Sequence, residues 1–236
     1  YAILRVISRL SPADAAAVAA HYGSISAVTL VAVTSALGNL GIGFEGYMIA
    51  VAAAMETPAI VSALLLARRG GLGSDRGDIA REVLLNGAVV MLLGSFLIGA
   101  ITGQRGVTLM KPFLVDSFAG FLCLFLLDMG LVAGRGLRDG ARGLSLPLAG
   151  FGILMPLVGA SCAVAISPLL GLSTGGTAVL VTLAASASYI AVPAAMRLAL
   201  PEADPTVPIT LSLGVTFPFN LLVGIPVYIA VAQRIA

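Results

Sequence analysis

The chain is 236 residues long, 59% apolar and only 10% charged, with thirteen basic against eleven acidic residues and a net charge of +2. A soluble domain carries about 25% charged residues, so these proportions, with a mean hydropathy of +1.07, all but exclude a soluble globular fold. The basic residues form no face, which leaves no argument for a nucleic-acid partner.

Seven stretches reach the length of about 20 mostly apolar residues that a membrane-spanning helix needs. They are 13–37, 45–67, 80–103, 112–134, 144–170, 176–199 and 207–233, and residues 1–10 read as the end of an eighth. The expected fold class is therefore all-α, a polytopic membrane protein. The first span opens on Ser11-Pro12-Ala13-Asp14, with Ser11 as cap, Pro12 in the first turn and Asp14 at the capping-box position. No initiator Met and no signal peptide are visible in YAILRVISRL, so further chain is expected upstream. Cys123 and Cys162 lie inside apolar runs without metal spacing and read as small packing residues.

The breaks between spans are short. Alternating them between two sides places ten of the thirteen basic residues, among them Arg68, Arg69, Arg135 and Arg138, on one side, and Arg105, Lys111 and Arg234 on the other. Basic loops favour the cytoplasm. The expected location is the inner (plasma) membrane, with the ten-residue side cytoplasmic and the C-terminus outside.

A shift of 164 positions lays Ser24 on Ser188, Ala27-Val28 on Ala191-Val192 and Glu56 on Asn220. The two copies lie five spans apart, so their topology is inverted, as in many secondary transporters. This assigns 1–78 to the C-terminal part of a first inverted repeat and 79–236 to the second, together one transmembrane domain. The first copy is then short by about three helices.

Span 13–37 is interrupted at Gly23-Ser24-Ile25-Ser26, and span 176–199 at Ser186-Ala187-Ser188, with Pro193 expected to free the carbonyl of Tyr189. Broken backbone inside a membrane is tolerated where protein or a watery cavity satisfies it. Half-helix N-termini starting near Ser24 and Ser188 favour a small anion, which nominates Gly23, Ser24, Ile25, Ser26, Ser186, Ala187 and Ser188 as its site. Small residues also allow plain close packing of helices.

Glu56 lies inside its span before Pro58 and reads as a coupling site, a gate or a buried acid. Thr210, Ser212, Thr216 and Asn220 form a polar stripe on the last span; Thr216 and Asn220 suit a sodium ion or serve as packing glue. His21, the single histidine, reads as a hydrogen-bond partner, or as the base of an intramembrane serine hydrolase if a serine is in reach. No nucleophile elbow, Cys/His metal spacing or phosphate loop occurs.

HYGSISAVT, METPAI, SASYIAVPAAMR and LSLGVTFPFNLLVGIPVYIA resemble the sodium-dependent bicarbonate transporters of the SbtA type, over nearly the whole chain. The resemblance implies ten spans as two inverted five-helix repeats in core and gate domains, of which this chain matches spans four to ten. It also implies a homotrimer, and bicarbonate between the interrupted helices with sodium close by as coupling ion, near Glu56, Tyr189, Thr216 and Asn220. Where the cyanobacterial members carry an acidic residue this chain has Tyr189, and Glu56 matches an acidic position in the following helix. The resemblance further implies a PII-like cytoplasmic regulator, although the loop 68–81 is shorter here. The expected function is sodium-coupled import of bicarbonate or a similar monoanion, with no enzymatic activity and no other cofactor. Alternatives are a proton-coupled carrier of another small anion and a non-transporting sensor or assembly partner.

Overall fold

The computed structural model describes residues 1–56, 87–140, 145–190, 192–193, 196–197 and 200–236. Every regular element among them is helical. In chain order they are α1 (Ala2–Ile7), α2 (Pro12–Gly23), α3 (Ala27–Asn39), α4 (48–56), α5 (Gly87–Leu114), α6 (Phe118–Gly140), α7 (Leu146–Leu170), α8 (Thr174–Ala184) and α9 (Thr206–Ile235). Three described segments are long and apolar enough to cross a membrane: Pro12–Asn39, which contains the α2–α3 break, α7 and α9. Pro58 and the loop 68–81 lie outside the described residues, as do parts of the spans read at 45–67 and 80–103.

The start of α2 forms as its residues dictate. Ser11 Oγ accepts the Asp14 N–H at 3.0 Å and donates to Asp14 Oδ2 at 2.7 Å. Asp14 Oδ1 also accepts the N–H of Asp204 at 2.8 Å, tying the loop before α9 to this end of α2. The break expected between two spans at 104–111 falls at Gly103, and residues 104–114 are helical. The chain kinks at Gly103, whose φ of 52° suits glycine, and continues as helix to Leu114. Cys123 and Cys162 are exposed, not packed as their apolar surroundings suggested.

Two apolar clusters lie on either side of the α2–α3 break. Leu4, Ala15 and Val18 pack with Leu148, Phe151 and Leu211, joining α1 and α2 to the first halves of α7 and α9. Beyond the break, Val33 and Leu37 of α3 pack with Met48, Val179, Leu183 and Ile229, joining α4, α8 and the second half of α9. Close approach of α7 to α8 depends on Gly159: a Cβ there would collide with the Ala184 carbonyl at the last residue of α8. By contrast, α5 and α6 turn large apolar residues outward, with Ile101 83%, Phe113 65% and Phe121 60% exposed.

Candidate functional site

Both interruptions are present in the structure, and they meet. Helix α2 ends at Gly23. Ser24 and Ser26 are extended (φ −105°, ψ 170° and φ −109°, ψ 115°), and α3 starts at Ala27 with Ser26 Oγ accepting the Thr29 N–H at 3.2 Å. The anticipated start near Ser24 is thus displaced to Ala27, because Ser26 is the residue whose hydroxyl can cap. Helix α8 ends at Ala184, residues 185–190 are non-helical, and helical conformation returns at 192–193. Pro193 therefore sits in the first turn of the resumed helix, where its missing N–H costs nothing. It does not break a helix from within, and the start expected near Ser188 is likewise displaced.

Two hydrogen bonds join the breaks. Ser26 N–H donates to Ser186 Oγ at 2.9 Å, and Ser188 N–H donates to the His21 carbonyl at 2.7 Å. Gly23, Ser24, Ile25, Ser26, Ser186, Ala187 and Ser188 are thereby gathered at one crossing. Apart from Gly23, each of them is buried. The crossing assembles opposite backbone polarities: the carbonyl ends of α2 and α8, and the amide end of α3. Such an arrangement offers N–H groups to an anion and carbonyls to a cation.

Helix α9 braces the crossing. Asn220 Nδ2–H donates to the Ala185 carbonyl at 2.7 Å, just past the end of α8, and Asn220 Oδ1 accepts from Tyr228 OH at 3.0 Å. Thr216 Oγ–H donates to the Gly152 carbonyl at 2.6 Å, so Tyr22 OH is the donor in the 2.5 Å contact with Thr216. Thr216 and Asn220 lie in two π-helical turns, Ser212–Thr216 and Asn220–Gly224. The extra residue per π turn lets one helix aim both side chains at neighbouring backbone. In this arrangement both polar side chains are engaged with protein groups. Glu56 is half-buried at the last described residue of α4, and among the described residues no hydrogen bond connects it to the crossing.

Buried polar atoms nearly always have partners. Here Ser24 Oγ, Thr182 Oγ1 and Tyr189 OH are buried and without a hydrogen-bond partner among the described residues. They come from the first break, the last turn of α8 and the second break. The Tyr189 hydroxyl lies near the Ser26 and Thr29 side chains without a hydrogen bond of acceptable geometry to either, and its ring meets Phe217 edge-on at 5.5 Å. Thr182 gave no signal in sequence, since one threonine in an apolar helix is unremarkable. Their hydroxyls can donate to an oxyanion or offer oxygen lone pairs to a cation.

A scan of protein families matches residues 1–233 to the Na+-dependent bicarbonate transporter superfamily. The chain belongs to that superfamily. No curated protein matches it. Membership and the apolar helices make this a multi-pass membrane transporter. His21 Nδ1–H donates to the Ala17 carbonyl at 2.7 Å, and among the described residues no serine bonds to the ring, so the serine contact that the hydrolase alternative requires is not among them.

A second acid was missed by sequence reasoning. Glu45, before α4, accepts the Ser173 N–H at 2.6 Å across 128 residues of chain, capping α8 in trans. That hydrogen bond holds its carboxyl below the ordinary carboxylate range. Gly175 and Gly176 permit the approach: Cβ atoms there would meet the Gly43 carbonyl and the Glu45 carboxylate.

Proposed function

We propose that the chain is a secondary transporter that carries bicarbonate, or a similar small monoanion, into the cell together with sodium. The observation that supports this most is the trio of unpartnered buried hydroxyls, Ser24, Thr182 and Tyr189, at and beside the two broken helices. In this reading the anion takes hydrogen bonds from these hydroxyls and from the first-turn amides of Ala27 and Val28, which precede the intrahelical hydrogen bonds of α3. Sodium, the second cargo, takes oxygens at the carbonyl ends of α2 and α8, and its charge offsets the cost of burying the anion. The breaks then travel as one body past neighbouring helices. Tyr189 holds the place of the acidic residue in the cyanobacterial resemblance, so a neutral hydroxyl replaces a fixed negative charge next to the anion. Ten-span inverted-repeat organisation, a homotrimer, cytoplasmic basic loops and a PII-like partner belong to the same proposal and rest on the resemblance.

The test is uptake of labelled bicarbonate by the full chain in proteoliposomes, with and without a sodium gradient. Saturable uptake that collapses without sodium is expected. Uptake indifferent to sodium overturns the coupling, and its absence in both conditions overturns the substrate. A second reading rests on Glu56, a half-buried carboxylic acid: coupling to protons, which a pH gradient without sodium would then drive.

A further inference from the structure

A separate cavity of about 190 Å³ lies on the Pro12–Pro201 side of the crossing, between α2, the helix resumed at 192 and the start of α9. That is far more than the ~10–15 Å³ a single water requires. Its wall is mostly apolar, with Ala17, Met196, Leu200 and Ile209, and two polar residues join it, His21 and Arg197. Arg197 is exposed, whereas His21 is 1% exposed. A carbonyl cannot donate, so the 2.7 Å contact with Ala17 fixes the hydrogen on Nδ1. In the neutral ring Nε2 is then an acceptor, and it is buried without a partner among the described residues. The same residue's carbonyl receives the Ser188 N–H, so the cavity abuts the crossing directly.

We propose that this cavity is a second anion subsite, selective for a monoanion that carries its own hydroxyl hydrogen. The inference rests on the transport reading for the identity of the anion, bicarbonate. Arg197 supplies the charge and a planar pair of donors for two oxygens. His21 Nε2 accepts the anion's O–H. Nitrate and acetate match the charge but bring no hydrogen, so in the cavity they leave Nε2 unpaired. A site built around a polar partner rejects analogues that lack it more strongly than an apolar pocket rejects a change of size. A bicarbonate ion held here stands one step from the broken helices.

The experiment labels Ala203→Cys, at the cavity wall, in the full chain with Cys123 and Cys162 replaced by alanine. The probe is a methanethiosulfonate bearing a sulfonate, and protection is titrated with bicarbonate, nitrate and acetate. Bicarbonate is expected to protect at a concentration at least about tenfold below nitrate or acetate. Arg197→Gln should weaken protection by all three about tenfold, with Arg197→Lys recovering part of it. His21→Leu should erase the preference for bicarbonate while leaving nitrate protection in place. Equal protection by the three anions in the parent, or values unmoved by Arg197→Gln, overturns the proposal even if His21→Leu fails to fold. Selective protection without bicarbonate flux sinks the transport reading and keeps the subsite. Flux without protection does the reverse.

Discussion

At Asn220 a single amide joins two elements, accepting from the Tyr228 hydroxyl of its own helix and donating to the Ala185 carbonyl at the end of α8. Gly224 makes the room, since a Cβ there would press on Asn220 and the Tyr228 ring. Asn220→Leu should cost about 1–2 kcal/mol, because two buried groups lose their partner. Adding Tyr228→Phe should cost less than the sum of the single changes, as expected for coupled neighbours; thermal unfolding in detergent reads both. The serines at the first break divide by role. Ser26 caps α3, so Ser26→Ala should lower stability by about 1 kcal/mol. Ser24 Oγ has no partner among the described residues. Ser24→Ala should therefore leave the unfolding midpoint nearly unchanged and raise the KM for anion uptake. Equal stability losses in the two variants would contradict this division.

Among the elements, α8 is fastened at both ends by groups from elsewhere in the chain. At its N-terminus Glu45 accepts from Ser173, and the carboxyl is held below its ordinary range. A depressed folded-state pKa means the carboxylate stabilises the fold above the ordinary carboxylate range and loses that contribution as pH falls through the lowered value. The protection factors of the first amides of α8, taken relative to the intrinsic exchange rate at each pH, should thus fall on acidification in the parent. Glu45→Gln should show low protection at every pH, and an unchanged parent profile would refute the cap. Along α8, contact with α7 relies on Gly159. Gly159→Val should destabilise by about 1–3 kcal/mol through forced separation of the helices, visible as a lower unfolding midpoint. The α2–α3 break was legible because Gly23, Ser24 and Ser26 crowd an otherwise apolar run. The bond from Asn220 to Ala185 and the reach of Glu45 were not, since these contacts cross 35 and 128 residues of chain and leave no local pattern. Pro193 misled for a related reason: the same residue that breaks a helix from within also opens one, and only the position of the resumed helix distinguishes the two.

Across the described residues, uncharged polar side chains are buried beside an apolar core while many large apolar ones face outward. The buried polar residues include Ser24, Thr182, Ser186, Ser188 and Asn220, whereas α5 and α6 expose Ile101, Phe113 and Phe121. This is the distribution expected of a chain solvated by lipid, and the excess of apolar residues already announced it. The chain has no tryptophan, so one introduced at Phe121 reports cleanly on its surroundings. In bilayers with brominated acyl chains, Phe121→Trp fluorescence should be strongly quenched and Tyr228→Trp fluorescence little affected. Similar quenching at both would mean the outward face is covered by protein or the inner one is open.

The bond from Ser188 N–H to the His21 carbonyl is made of main chain on both sides. Exchanging the side chain at either position leaves that seam intact; proline at 188, which has no amide hydrogen, is the exception. Pocket hydroxyls can therefore be swapped to suit a different cargo while the rivet between the two halves of the machine holds.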